Sequence, residues 1–93
     1  MPTNPKIWEQ EEVDVLDDID DIYNIVVYND SENYFEWVVA AFIDILDHSS
    51  QQAEQLSQEI HHKGRAVVKS GNLTVVSLLT EALLDRGLSA KIE

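Results

Sequence analysis

Cysteine is absent from the 93 residues. That excludes disulfide staples, thiolate metal sites and cysteine nucleophiles, and leaves the fold to stand on apolar packing. Basic residues are scarce: six Lys and Arg face eighteen Asp and Glu, for a formal net charge of −12. No basic stripe is present to neutralise phosphates and release counterions, so nucleic acid and anionic membranes are disfavoured as partners. No apolar run approaches the ~18 residues of a membrane span, and Met1-Pro-Thr-Asn-Pro-Lys6 does not read as a signal peptide, so a cytoplasmic location is expected. The length suits one small domain, and a body of about 70 residues buries only roughly 60% of its unfolded surface. Little room is left for an enclosed active site.

What is there is unevenly distributed. Residues 1–22 hold eight acids and one lysine, whereas residues 23–93 hold ten acids and five basic groups. Residues 1–22 are therefore expected to form a flexible acidic extension and residues 23–93 a folded core. Met1–Lys6, with both prolines, reads as disordered. Glu9–Asp21 packs eight acids into thirteen residues, which repel one another. Val13, Val15, Leu16 and Ile19 are interspersed among them, so the segment reads either as a solvated linker or as an arm that orders on a partner.

From Tyr23 the pattern changes. Tyr23-Asn-Ile-Val-Val-Tyr28 is rich in β-branched and aromatic residues, and Tyr23, Ile25 and Val27 alternate with Asn24, Val26 and Tyr28, predicting a strand with one core face and one partly exposed face. Asn33 with Glu36 resembles a capping box ahead of Phe35, Val38, Val39, Phe42, Ile45 and Leu46, which predicts a helix running to about Asp47. Ser49 with Gln52 predicts a second helix start, followed by Ala53, Leu56 and Ile60 and closed by Gly64. Arg65–Lys69 is a short predicted strand, and Ser70-Gly71-Asn72 a predicted turn. Leu73, Val76, Leu79 and Leu83 predict the buried stripe of a third helix ended by Gly87, after which Leu88, Ala90 and Ile92 alternate as a last strand.

The expected fold is thus α+β, a single two-layer domain of order β-α-α-β-α-β. Each helix has one apolar face to hide, so a three-stranded antiparallel or mixed sheet with three helices on one face is expected. The long connections leave strand order open.

Asn29 and Asp30, where the first strand gives way to a helix, are the most suggestive polar pair. From spacing alone they read as a turn, since both residues tolerate left-handed backbone and bond to their own chain. A metal site built from Asp44, His48, His61 and His62 is set aside, because adjacent helical histidines point about 100° apart and cannot easily share an ion. No serine has a glycine-elbow context, and no Ser, His and Asp order of a hydrolase is legible. An enzyme is not expected, and neither a metal nor a cofactor is.

Three fragments and the element order together resemble the ClpS family, adaptors of the bacterial ATP-dependent Clp protease that act in the N-end rule. They are Asn29-Asp30 directly after the first strand, Phe35-Glu36-Trp37-Val38 opening a helix, and Ile60-His61-His62-Lys63-Gly64-Arg65-Ala66 closing the next. The chain also ends in Ala-Lys-Ile-Glu93 much as the family does. The resemblance implies a binding site for the free amino terminus of a substrate protein, with Asn29, Asp30 and His61 accepting hydrogen bonds from the ammonium. It implies a side-chain hole framed by Asn33, Phe35, Val38, Ser57, Ile60 and Leu88. The expected partners are proteins with hydrophobic amino-terminal residues and a Clp-type AAA+ unfoldase.

Several positions depart from the family pattern. Ser31 stands where a second acid is usual, and Asn33-Tyr34 where Thr-Pro is usual. Asn33 reads either as a polar pocket-edge group or as a helix cap. Ser57 replaces an apolar residue of the hole, and Val68–Val76 is shorter than the family's unfoldase-contacting segment, without its Glu and Lys. The alternative of another class is a structural interaction module resembling the carboxyl-terminal domain of the ribosomal stalk protein, which shares the element order. Phe35, Val38 and Ile60 also lie in core stripes, and packing alone accounts for apolar residues there.

Overall fold

The computed structural model describes residues 21–93. The expectations for Met1–Lys6 and for the acidic stretch up to residue 20 lie outside the described residues. Beyond them the elements follow in the expected order: β1 (Tyr23–Tyr28), α1 (Phe35–Leu46), α2 (Ser50–Lys63), β2 (Arg65–Gly71), α3 (Leu73–Asp85) and β3 (Ser89–Ile92). The sheet is antiparallel throughout, with β1 in the centre between β2 and β3.

The central strand, β1, is the one with the densest β-branched run. Its central place changes one expectation. Val26, on the face turned away from the helices, is 1% exposed rather than partly exposed. Val67 of β2 and Lys91 of β3 stand opposite it on either side, and a central strand is shielded by the side chains of both neighbours. Beside it, Tyr28 donates to Glu93, Arg65 pairs with Glu93 at 2.9 Å, and the Arg65 and Lys91 cations lie 5.3 and 5.7 Å from the Tyr28 ring centroid. The inner face, Ile25, Val27, Ala66, Val68 and Ala90, joins Ala41, Phe42, Leu46, Ala53, Ile60, Val76 and Leu83 of the helices in one core.

β2 runs two residues further than predicted. Ser70 and Gly71 continue the ladder opposite Asn24 and Tyr23, and a register irregularity between Ile25 and Val26 leaves Val68 as the extra residue. Ser70 Oγ donates to Asn24 Oδ1 at 2.6 Å. The predicted turn shrinks to Asn72, whose side chain accepts from the Val75 amide at 2.9 Å and starts α3. Within α3, Val76 and Leu83 are fully buried and Leu79 packs against the core, but Leu73 is 39% exposed. Val75 of the same turn is 42% exposed, while Thr80 takes a buried place the apolar pattern omitted.

The helix ends are made by local chemistry. Ser49 Oγ accepts from the Gln52 amide at 3.1 Å, and Gly64, at φ 93°, closes α2 through a hydrogen bond from its amide to Ile60. At the end of α3, Gly87 has φ 90°, its amide donates to Leu84, and the Leu88 amide donates to Leu83. This paired arrangement requires a left-handed residue at Gly87, and it drops Leu88 into the core beside Leu83.

Candidate functional site

The end of β1 is tied to the end of α2 by a backbone hydrogen bond from Asn29 to Gly64, 2.9 Å long. Gly64 can reverse the chain there because it lacks a Cβ, so Asn29 and His61, thirty-two residues apart, come to the rim of one cavity. That cavity has a volume of about 570 Å³ and is lined by Asn29, Asp30, Ser31, Asn33, Tyr34, Phe35, Val38, Ser57, Ile60 and His61. A small recess of about 30 Å³ adjoins it, sharing Asn29, Asp30, Asn33, Val38 and Ile60 and adding Val27, Tyr28, Leu88 and Ser89.

Asp30 organises the polar rim. Its Oδ1 accepts from the amides of Glu32 and Asn33 at 3.0 and 3.1 Å, and from the Asn33 side chain at 3.0 Å. Its Oδ2 accepts from Ser89 Oγ at 2.7 Å and from Asn33 Nδ2 at 3.2 Å. Burial acts to raise the carboxyl's pKa, but the hydrogen bonds from Ser89, the Glu32 amide and Asn33 outweigh it and hold the group below the usual aspartate range. Asp30 is therefore a fixed anion at neutral pH.

Asn33 does not cap α1. The helix begins at Phe35 with Tyr34 in the capping position and no side-chain cap bond. Asn33 instead spends its amide group on both oxygens of Asp30 and on the Gly87 carbonyl, 3.0 Å away. The reason is tertiary: the β1–α1 loop faces the α3–β3 corner, and Asn33 spans the two. It lines both cavities while doing so.

In contrast, among the described residues the side chains of Asn29 and His61 have no hydrogen-bond partner. Both are exposed at the rim. The His61 ring meets that of His62, edge to face with centroids 5.5 Å apart. Below the rim the walls are apolar, with Phe35 at the mouth, Val38 half-buried and Ile60 4% exposed. Leu88, 3% exposed, lies under the small recess and not in the larger cavity. Ser57 is in the larger cavity's wall.

All nine sequence-predicted residues thus gather around this cleft. Sequence reasoning missed Ser89, Ser31, Tyr34, Val27 and Tyr28. Ser89 carried no signal, because its alternation merely placed it away from the core; only the pairing of Tyr28 with Ser89 sets its hydroxyl beside Asp30. The Asp44 and His48 pair disperses: Asp44 pairs with Arg86 at 2.8 Å, and His48 Nε2 lies 2.7 Å from the Val68 carbonyl oxygen. Arg86 also sits 5.5 Å from the Trp37 ring centroid, while Trp37 Nε1 donates to its carbonyl. Among the described residues no helix is long and apolar enough to cross a membrane.

Fold and cleft together define a small α+β domain with an apolar cavity under a rim that carries hydrogen-bond acceptors. Comparison with known proteins identifies its kind. The family model described as "ATP-dependent Clp protease adaptor protein ClpS" matches residues 18–91, and the chain belongs to that adaptor family. It is 32% identical over 88 residues to the ATP-dependent Clp protease adapter protein ClpS of Streptomyces coelicolor, covering 95% of this chain and 92% of that protein. To the ClpS of Rhodococcus opacus it is 30% identical, covering 100% of this chain and 85% of the relative. The fold is similar to that of Agrobacterium tumefaciens ClpS2 bound to L-phenylalaninamide, with a TM-score of 0.71 at 20% identity, over 77% of this chain and 94% of that one. The family match replaces the alternative of a ribosomal-stalk-like module.

Proposed function

We propose that this protein is a non-enzymatic adaptor that grasps the free α-amino group and bulky hydrophobic side chain of a substrate's first residue. The observation that carries the reading is the pairing of unengaged acceptors with an apolar hole. An α-ammonium has three N–H donors and one positive charge. Asn29 offers an amide oxygen, His61 a ring nitrogen when neutral, and Asp30 a fixed negative charge beside them. Because Asp30 is already crowded with donors, its part is chiefly to attract the cation, and the vacant hydrogen bonds fall to Asn29 and His61. The side chain then descends past Phe35 to Val38, Ile60 and Ser57, with Leu88 as support beneath. The ligand of the Agrobacterium protein, an amino acid amide with a free amine and a phenyl side chain, is of this chemistry.

Delivery to a Clp-type AAA+ unfoldase is part of the same proposal, as the family name suggests. The β2–α3 connection is reduced to Asn72, so that partner would meet the helix start directly rather than an extended loop.

The test uses peptides that differ only at their first residue. Phe- and Leu-initiated peptides are expected to bind at least about tenfold more tightly than acetylated copies, since acetylation removes the charge and two donors. Equal binding of free and acetylated peptides, measured by fluorescence anisotropy, overturns the reading.

A further inference from the structure

We infer that Ser57 makes this cleft favour a phenolic first residue, tyrosine over phenylalanine, an inference that rests on the amino-terminal reading above. Ser57 is 4% exposed, and its Oγ, with less than 1 Å² accessible, has no hydrogen-bond partner among the described residues. Helical serines commonly relieve such a deficit by bonding the carbonyl one turn back; Ser57 does not. A buried hydroxyl left unpaired is destabilising, and an occupant able to pair it recovers that loss. Thr80 Oγ1 is likewise unpaired among the described residues, but Thr80 lines neither cavity whereas Ser57 is in the wall of the larger one.

The spacing suits a para-substituted ring. Ser57 and His61 lie on the same face of α2 one turn apart, a rise of ~6 Å for four residues. That is comparable to the span from Cα to the para position of a phenyl group. A first residue with its ammonium at His61 and Asn29 thus sends its ring along α2 toward Ser57. A tyrosine hydroxyl both donates and accepts, as does serine's, so the two satisfy each other with a small rotation about the Ser57 Cα–Cβ bond. Phenylalanine fills the same apolar walls, Val38 and Ile60, and leaves Oγ unpaired. Discrimination of this kind favours the partner that can hydrogen-bond, because the isostere strands a polar group of the site.

The experiment compares two otherwise identical peptides, Tyr-initiated and Phe-initiated, and their acetylated copies, against the full chain and Ser57→Ala. The wild-type protein is expected to bind the Tyr peptide about three- to tenfold more tightly than the Phe peptide. In Ser57→Ala that ratio falls to about one, as loss of one hydrogen bond predicts. A wild-type ratio at or below one, or a ratio unchanged by Ser57→Ala, overturns the inference while the gap between free and acetylated peptides stands. Disappearance of that gap overturns the amino-terminal reading and the inference together.

Discussion

The three helices of this domain start in two different ways. α2 and α3 are opened by Ser49 and Asn72, each accepting from the amide three residues on. α1 starts on Tyr34, with no side-chain cap, although Asn33 stands one residue earlier and Glu36 three residues after it. At α2 and α3 the capping residue has nothing better to do, so local chemistry prevails. At α1 a charged acceptor and a carbonyl from another part of the chain outbid the helix, because hydrogen bonds to an ionised group are the stronger ones. The difference teaches that the loop from Asn29 to Tyr34 is held by tertiary contacts, and it is this loop that forms the polar rim of the cleft.

The largest expected effect comes from breaking the tether. Asn33→Ala removes the side-chain links to Asp30 and Gly87 and should lower stability by about 2 kcal/mol in urea unfolding. It should weaken binding of a Phe-initiated peptide as well, since Asp30 and the loop lose their common anchor. If stability drops no more than it does on loss of an ordinary cap, the tether is not what holds the loop.

A smaller effect is expected in acid. The Asp30 pKa is lowered in the folded state, so the unfolded chain takes up the proton first. The stabilisation is complete above the ordinary aspartate value of about 3.9 and is lost progressively as pH falls through the depressed folded value. Wild type and Asp30→Asn, compared by thermal melting from neutral to acid pH, should converge as pH falls. Taking the difference separates Asp30 from Glu93, which Tyr28 and then Arg65 also hold below the usual glutamate range. Parallel curves would show that Asp30 gains nothing from its donors.

The smallest effects belong to the local caps. Ser49→Ala and Asn72→Ala should each cost about 1 kcal/mol. Neither residue lines the cleft, so peptide affinity by the same anisotropy assay should not change. A loss of affinity in either variant would mean that the two kinds of helix start are not separable.

Legibility from the sequence followed the range of the forces involved. β1, α1, α2 and the last strand were readable because period and propensity are local, and Gly64 and Gly87 because only a residue without a Cβ suits those corners. The end of β2 was not, since Ser70 and Gly71 have weak strand character and are extended only because Asn24 and Tyr23 pair with them. The helical phase of Leu73 predicts burial, but it is 39% exposed while Val76 of the same turn is buried. At the cleft, the nine expected residues were found through resemblance to the family, not through periodicity. Ser89 and the diverted side chain of Asn33 escaped because each depends on a partner more than fifty residues away.

By itself, then, the sequence determined an α+β order of elements, two glycine-closed helices, a core built on one face of the sheet and a charge that disfavours nucleic acid. These rest on residue identity and near-neighbour spacing, which no distant contact alters. Tertiary structure alone decided that β1 is central, that Asn33 ties a loop instead of starting a helix, and that Asp30 is a fixed anion. It also decided that, among the described residues, the side chains of Asn29 and His61 remain unengaged over an apolar hole. Each of these is a question of which acceptor or surface is nearest once the chain has closed on itself, and hydrogen bonds and burial are settled by that proximity.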